Sequence, residues 1–266
     1  MKNILIAGYG FVGQAVHYSL TKHDTVKTDY VIDIFDLDKG RQCDITNTDY
    51  DFIFVCVPTP SAVDGTCDYS LVTEYVECFK DHRGLIIKST VPPSGIKHLL
   101  SINSDLVYMP EFLREKSFKY DALNPKHIII GCNSSTIASN VCTLLCDTQI
   151  NKYAGFDIKI VDPVTASLFK YSANTFLAMK VVFMHELYKM CSDNGYDWEQ
   201  LRDLMESDDR LGTSHFNAPG DHGLGYAGSC FPKDVKAFVK EANGALSLLD
   251  ASMKVNTQLR EYNVQK

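Results

Sequence analysis

Asn3-Ile4-Leu5-Ile6-Ala7-Gly8-Tyr9-Gly10-Phe11-Val12-Gly13 decides the fold. The apolar run at its start predicts a buried strand, and a helical stretch continues from it to about Lys22. Between them stands G-x-G-x-x-G, in the strand–turn–helix context that gives the pattern its meaning. Gly8 makes the tight turn, Gly10 lets backbone approach a pyrophosphate, and Gly13 lets helix and strand pack closely. The helix start, at Phe11 and Val12, offers unpaired N–H groups and a partial positive charge to the phosphates. A dinucleotide cofactor is expected here.

Outward from this stretch, residues 30–35 predict a second strand. Asp33 lies 20 residues after Gly13, where a carboxylate can accept from both ribose hydroxyls of an adenosine and repel a 2′-phosphate. Asp36 and Asp38 compete for that role. With no arginine immediately beside Asp33, NAD is expected rather than NADP. Further strands are predicted at residues 51–57, 84–89, 106–108 and 127–130, with helices at about 69–80 and 135–146. Pro58-Thr59-Pro60 and Thr90-Val91-Pro92-Pro93 close two of the strands at the edge where such sheets bind ligands. Strand and helix alternate, which predicts an α/β fold with a Rossmann-type doubly wound parallel sheet. From Asp162-Pro163 onward the strands stop. A helix of about 30 residues is predicted to residue 194, followed by helices at about 198–206, 232–242 and 247–262. The expected division is a cofactor domain at 1–158 and an all-helical domain at 159–266.

Composition sets the outer bounds. The chain has 266 residues, 26 basic against 33 acidic, for a net charge of −7. That balance argues against a nucleic-acid surface or an anionic membrane as main partner. No apolar run approaches the roughly 18 residues that span a bilayer. Met1-Lys2-Asn3 runs straight into the first strand, so no leader is expected. Nine cysteines without a C-x-x-C pair argue against a disulfide scaffold and for a reducing compartment, the cytoplasm. The eight histidines form no ligand-spaced cluster, and no metal is expected.

A second constellation lies late in the chain, at Gly225-Tyr226-Ala227-Gly228-Ser229-Cys230-Phe231-Pro232-Lys233-Asp234. Proline suits a first helical turn, which puts Cys230 just ahead of a helix N-terminus. The helix start and Lys233 both favour a thiolate there. Asp234 follows one turn on, near enough to orient a water or a polar neighbour. A lone cysteine in a tight turn is usually structural; the convergence of glycines, a helix start and a carboxylate makes this one a candidate nucleophile. Met109-Pro110-Glu111-Phe112-Leu113-Arg114-Glu115-Lys116 has the pattern of a salt-bridged helix start, and its place after a sheet strand makes it a candidate pocket. Lys170 and Asn174 share one face of the long helix, commonly a solvated one. Beside a nicotinamide and a cysteine they could instead polarise a hydroxyl or stabilise an oxyanion. Residues 210–226 are too long and too rich in Gly, Pro, His and Asp for a mere connection, and predict a binding loop.

Taken in order, the glycine fingerprint, Thr59, Thr90, Pro110-Glu111-Phe112-Leu113-Arg114-Glu115, Lys170/Asn174 and Gly228-Ser229-Cys230-Phe231-Pro232-Lys233-Asp234 resemble the UDP-glucose/GDP-mannose dehydrogenase family. The likeness covers nearly the whole chain. It implies a Rossmann domain, a central helical domain used for dimerisation, and a third domain that helps bind the nucleotide. It further implies NAD as cofactor, a nucleotide sugar as substrate, and four-electron oxidation of the sugar C6 alcohol to the uronate. By this resemblance Cys230 is the nucleophile, passing through a thiohemiacetal and a thioester. Lys170 and Asn174 stabilise the alkoxide and oxyanions, Asp234 and Thr90 position water and proton relays, and Glu115 assists thioester hydrolysis. Thr59 and Thr90 contact the cofactor. Glu111, Phe112, Leu113 and Arg114 line the sugar pocket with Lys170, Asn174, Arg210 and Gly225, Arg210 being a residue that could be supplied across the dimer.

Departures from the family pattern are also visible. Ala227 and Lys116 stand where the family has glycine, the segment between Asp38 and Asp51 is short, and the chain stops within the helix that would lead to the third domain. A weakened grip on the nucleotide is the expectation. Two other function classes stay open: a two-electron hydroxyacid dehydrogenase, which Lys170-x-x-x-Asn174 also suits, and a non-catalytic NAD-binding remnant.

Overall fold

The computed structural model describes residues 2–22, 30–38, 40, 49–147 and 157–263. The short segment after Asp38 lies, at 39 and 41–48, outside the described residues. Two compact units are present: Met1–Pro60 with Asp68–Lys170, and Ser61–Cys67 with Tyr171–Lys266. The division falls inside one continuous helix rather than in a linker.

In the first unit, β1 (Lys2–Ala7), β2 (Tyr30–Phe35), β3 (Phe52–Val55), β4 (Leu85–Ile87), β5 (Val107–Tyr108), β6 (His127–Gly131) and β7 (Asp157–Val161) form one sheet in the order β2-β1-β3-β4-β5-β6-β7. Side chains alternate across it, as the two-residue period of a strand requires. Ile4, Ile6, Phe54 and Ile86 turn to the face covered by α1 (Phe11–Thr21) and α5 (Ser135–Asp147). Leu5, Ile53, Val55, Leu85 and Ile87 turn to the face covered by α2 (Ser70–Cys78) and α3 (Pro93–Ile102). Both faces are dry, which is why these strands are almost wholly apolar.

The sheet departs from the predicted parallel pattern at one step. β5 and β6 pair antiparallel, Tyr108 against Gly131, and β7 then pairs parallel with β6. The link from β5 to β6 holds only a 3-10 turn at Glu115–Ser117 and the six-residue α4 (Phe118–Leu123). A parallel crossover needs a connection that returns the chain to the opposite edge of the sheet; here the chain turns back at the same edge. β7 lies beyond the strands that the sequence predicts. The order places a topological switch point between β1 and β3, whose carboxyl ends open the crevice where such sheets take ligands.

The second unit is helical, apart from two isolated bridges among its described residues. It comprises α6 (Pro163–Asn194) from Tyr171 onward, α7 (Trp198–Glu206), α8 (Phe231–Glu241) and α9 (Ser247–Tyr262). Asp162 caps α6, accepting the Thr165 N–H at 2.9 Å, and Asp197 caps α7 through Gln200. Tyr171, Ala178 and Val182 of α6 pack with Val235 and Phe238 of α8 and with Leu249 and Leu259 of α9. Among the described residues, no helix is long and apolar enough to cross a membrane.

Candidate active-site residues

The glycine loop is shaped by contacts that exclude side chains. Gly8 takes φ +88°, and a Cβ on it would lie 2.7 Å from the Cys56 carbonyl oxygen. A Cβ on Gly13 would lie 2.0 Å from the Gly8 carbonyl oxygen, so α1 can rest on the loop only without one. Around Gly10, by contrast, nothing lies within 4 Å of a Cβ position. Gly10 is the N-cap of α1 and no side chain caps that helix, leaving the N–H groups at Phe11 and Val12 for an anion. A cradle with an open front and bare helix donors fits the pyrophosphate of a dinucleotide.

The two carboxylates at the end of β2 stand in different surroundings. Asp33 sits within β2, opposite Leu5, and accepts the Tyr50 hydroxyl at 3.0 Å. Asp36 stands one residue past the end of β2 and accepts the Tyr9 N–H, inside the glycine loop, at 2.6 Å. Position relative to the strand's end, not distance along the chain, brings a carboxylate to the sheet edge. Thr59 is buried just past β3, and the Ser89 hydroxyl donates to the Val57 carbonyl at 2.7 Å, tying the ends of β3 and β4 beside Thr90.

Lys170, in the first turns of α6, is buried with Glu111. Its ammonium donates to the Glu111 carbonyl oxygen at 2.6 Å and to the carboxylate Oε1 at 3.2 Å, and lies 5.1 Å from the Phe112 ring centre. The other carboxylate oxygen of Glu111 accepts the Leu113 N–H, which fixes the turn of the Pro-Glu-Phe-Leu segment. Taking a lysine and a glutamate out of water costs more than their attraction returns unless hydrogen bonds complete the pair. Such a pair is poor evidence for stability and better evidence for a use. Phe112, His127 and Phe169 stack edge to face around it.

The rest of this segment faces outward. Arg114 is exposed and forks onto Asp121, at 3.1 and 2.6 Å, while Glu115 and Lys116 lie on the exposed 3-10 turn. Despite partial burial, which pushes Asp121 up, its bonds from Arg114 and Ser117 hold that carboxyl below the usual range. Arg210, in the second unit, is likewise exposed and forks onto Asp208.

Cys230 stands where the sequence places it, as the N-cap of α8, half-buried, with its carbonyl accepting the Asp234 N–H at 2.9 Å. Asp234 is buried beneath that turn. Asn174 donates to its Oδ2 and Lys233 to its Oδ1, each at 2.6 Å. Burial alone would push the Lys233 ammonium down, but the charge and hydrogen bond of Asp234, with smaller help from Cys67 and Cys230, raise it overall. The carboxylate thus joins the helix carrying Asn174 to the helix carrying Cys230. Ala227 needs no strained backbone. Among the described residues only His215 and Asn243 combine a side chain with positive φ.

Four residues with no counterpart among the sequence candidates hold the stretch before Cys230. Asn263 accepts the Leu224 N–H at 2.9 Å and donates to its carbonyl at 2.8 Å. Asn256 accepts the Tyr226 N–H at 2.6 Å and donates to its carbonyl at 3.4 Å. Arg260 reaches the His222 and Leu224 carbonyls, and His185 of α6 accepts the Gly225 N–H at 2.7 Å. Successive peptide groups are thereby satisfied by side chains, as buried backbone outside regular structure must be. The positive φ of Gly225 and the nearness of Asn256 explain that glycine: a Cβ would lie 2.6 Å from Asn256 Oδ1.

Comparison with known proteins agrees with this layout. Residues 36–149 match the NAD-binding domain of the UDP-glucose/GDP-mannose dehydrogenase family, and residues 164–258 match the family's central domain. A UDP-glucose 6-dehydrogenase of Rickettsia bellii is 34% identical over 230 residues, which cover 80% of this chain and 51% of that protein. One of Bacillus subtilis is 32% identical over 232 residues, 81% of this chain and 50% of the relative. The chain therefore spans about half the length of the curated relatives it matches. Among solved structures, a UDP-glucose dehydrogenase of Pyrobaculum islandicum superposes with a TM-score of 0.75 at 27% identity, covering 98% of this chain and 68% of its own. With NAD as its cofactor, the chain belongs to the UDP-glucose/GDP-mannose dehydrogenase family.

Proposed function

We propose that the chain oxidises the C6 alcohol of a nucleotide sugar to the uronate, in the manner of UDP-glucose to UDP-glucuronate, with Cys230 as nucleophile. The observation that carries this is the Cys230 turn: a half-buried thiol at a helix start, above a buried carboxylate locked by Asn174 and Lys233. A purely two-electron dehydrogenase has no use for that thiol. NAD held at the glycine loop, with Asp36 at its ribose, would supply the hydride acceptor for each of two oxidations.

The side chains divide the remaining work. An ammonium has three donors, and Glu111 takes two from Lys170, so the third is available to the C6 oxygen. Asn174, oriented by Asp234, is the second donor to that oxygen. Such preorganised donors act on charge that develops in the transition state. Once the alcohol has become an aldehyde, Cys230 Sγ adds to the carbonyl carbon and the oxygen takes a proton, giving a thiohemiacetal. Loss of a hydride and a proton leaves a thioester. Water then adds to its carbonyl carbon and the C–S bond breaks, releasing carboxylate, thiolate and two protons. In this scheme Thr90 and Asp234 order that water, Thr59 and Thr90 contact the cofactor, and Glu115 assists the hydrolysis. Glu111, Phe112, Leu113 and Arg114, with Arg210 and Gly225, hold the sugar.

The proposal includes domains at 1–158 and 159–266 and a homodimer built on α6. Nine cysteines suit a reducing compartment such as the cytoplasm. The test is stoichiometric. With UDP-glucose and GDP-mannose as probes, two NADH are expected per sugar consumed, and Cys230→Ala should bind NAD yet make no uronate. One NADH per molecule oxidised would point to two-electron chemistry. NAD binding with no turnover on any nucleotide sugar would point to a non-catalytic chain.

A further inference from the structure

His185 lies on α6 at 2% exposure, and both its ring nitrogens are committed to the loop that leads to Cys230. Nδ1 is 2.7 Å from the Gly225 nitrogen and Nε2 is 3.0 Å from the Asn217 carbonyl oxygen. A peptide N–H can only donate and a carbonyl can only accept. The partners therefore dictate the state of the ring: neutral, with its hydrogen on Nε2 and a lone pair on Nδ1. A second proton would set an Nδ1–H against the Gly225 N–H, two donors with no acceptor between them.

The other clamps on this loop do not titrate in the same range. Leu224 and Tyr226 are held by the amides of Asn263 and Asn256, and the His222 carbonyl by Arg260. Among these described clamps, the one on the Gly225 N–H depends on a group whose charge changes near neutral pH. The ionisable groups around His185 are of mixed sign. On α6 itself Glu186 and Lys189 are nearest in sequence; from α9 comes Arg260. A cavity of ≈ 580 Å³ beside the ring is also lined by Arg202 of α7 and by His215, Asp221, His222 and Tyr226. Arg202 is engaged by Glu199 and Asp203, at 2.6 and 2.9 Å.

We propose that His185 is the positioning residue of the Cys230 loop and its proton switch: neutral, it closes the loop by bridging Asn217 and Gly225; protonated, it releases Gly225 and with it the approach to the nucleophile. The link to turnover takes Cys230 as the nucleophile proposed above, while the link to loop structure does not need it. Burial lowers the affinity of this ring for a proton, and the Asn217 carbonyl opposes that only in part. The folded-state pKa is thus below the ordinary value of about 6.5. The sign follows. Above the ordinary value both folded and unfolded chains carry a neutral ring, and the clamp is complete. As pH falls through that value the unfolded chain takes up a proton first and stability declines; as pH falls through the lower, folded value the clamp itself opens.

Three measurements on the full chain test this. Ring 15N shifts of His185 should report the Nε2–H tautomer and a titration midpoint below that of an ordinary histidine. An Nδ1–H tautomer or an ordinary midpoint would overturn the proposal. Amide exchange of the segment around Gly225, corrected for the intrinsic pH dependence, should lose about tenfold of its protection between about pH 8 and about pH 5, the size set by one net hydrogen bond. His185→Gln supplies a neutral acceptor and donor, so its protection should not change with pH; His185→Ala should show low protection throughout. Equal pH dependence in wild type and His185→Gln would sink the switch, even if His185→Ala does not fold. In turnover assays the acid fall in kcat should be present in wild type and absent in His185→Gln. Should the exchange pattern appear with no turnover on any nucleotide sugar, the loop switch stands and the dehydrogenase function fails. Turnover with its acid fall intact in His185→Gln, and no exchange difference, does the reverse.

Discussion

Asp33 and Asp36 differ in what their carboxylates already hold, and that difference predicts how each behaves when removed. Asp36 touches the glycine loop through the Tyr9 N–H, whereas Asp33 is spent on the Tyr50 hydroxyl inside the sheet. A carboxylate accepting from ribose hydroxyls contributes a charged hydrogen bond, and losing it costs about ten- to a hundredfold in affinity. Asp36→Ala should therefore weaken NAD binding by about that factor and narrow the preference for NAD over NADP; Asp33→Ala should leave that preference unchanged. Fluorescence titration of both cofactors decides it, and the opposite pattern would return the role to Asp33. Much of the candidate site could be read from residue types alone: Gly8, Gly13, Lys170, Asn174 and Asp234 stand in tight or buried contacts, and Cys230 stands at the start of α8. The pairing of Lys170 with Glu111 could not, because 59 residues separate them and no local spacing reports the contact. Nor could Asn256, Arg260 and Asn263, whose signal is only a polar face at helical spacing on α9 and its C-cap.

The stretch from Leu224 to Tyr226 shows how a loop becomes as fixed as a strand. Its peptide groups bond to side chains from two helices, and Gly225 within it answers a different demand from Gly228 just after it. Gly225 has φ +81° and no room for a Cβ, while Gly228 has φ +86° and open space around it. An alanine at Gly228 meets only the left-handed backbone, a cost of about 1–2 kcal/mol. At Gly225 the same cost is joined by displacement of Asn256 from the Tyr226 N–H, about 1 kcal/mol or more for each buried group left unpaired. Gly225→Ala should thus lower the thermal midpoint clearly further than Gly228→Ala. Equal midpoints would mean that the Asn256 clamp contributes little. Regular elements were legible where one period dominates, as in α6, α7 and α9, or where proline marks a start, as in α8. β7 was not: Asp157-Ile158-Lys159-Ile160-Val161 is an edge strand whose exposed positions dilute the apolar signal. The helix α3, which opens on Pro93, was hidden behind a pair of prolines that read as loop.

α6 presents a face that the rest of its own unit does not cover. Phe176, Phe183 and Met190 are 63%, 55% and 45% exposed, and they recur every seven residues. Seven residues fall close to two helical turns, so the three side chains form one gently drifting stripe along the helix. A stripe of that period is the seam by which one helix packs on another. A second copy of the same helix, antiparallel across a two-fold axis, would meet Phe183 at its centre and pair Phe176 with Met190, because an isologous contact matches each residue to its symmetry mate. Burial of such side chains contributes about 25 cal/mol per Å² removed from water, which makes this stripe the natural centre of a stable interface. Light scattering should accordingly give the wild type twice its chain mass of 29.8 kDa at micromolar concentration. Phe183→Asp places two carboxylates against each other at the axis and should yield a folded monomer, with helical circular dichroism retained. Lys180 stands one turn before Phe183 and is bound to the Leu211 and Gly212 carbonyls, so the charge introduced in the variant finds no ready lysine partner there. A wild type that is monomeric, or a Phe183→Asp variant that remains a dimer, would move the self-association surface off this face of α6.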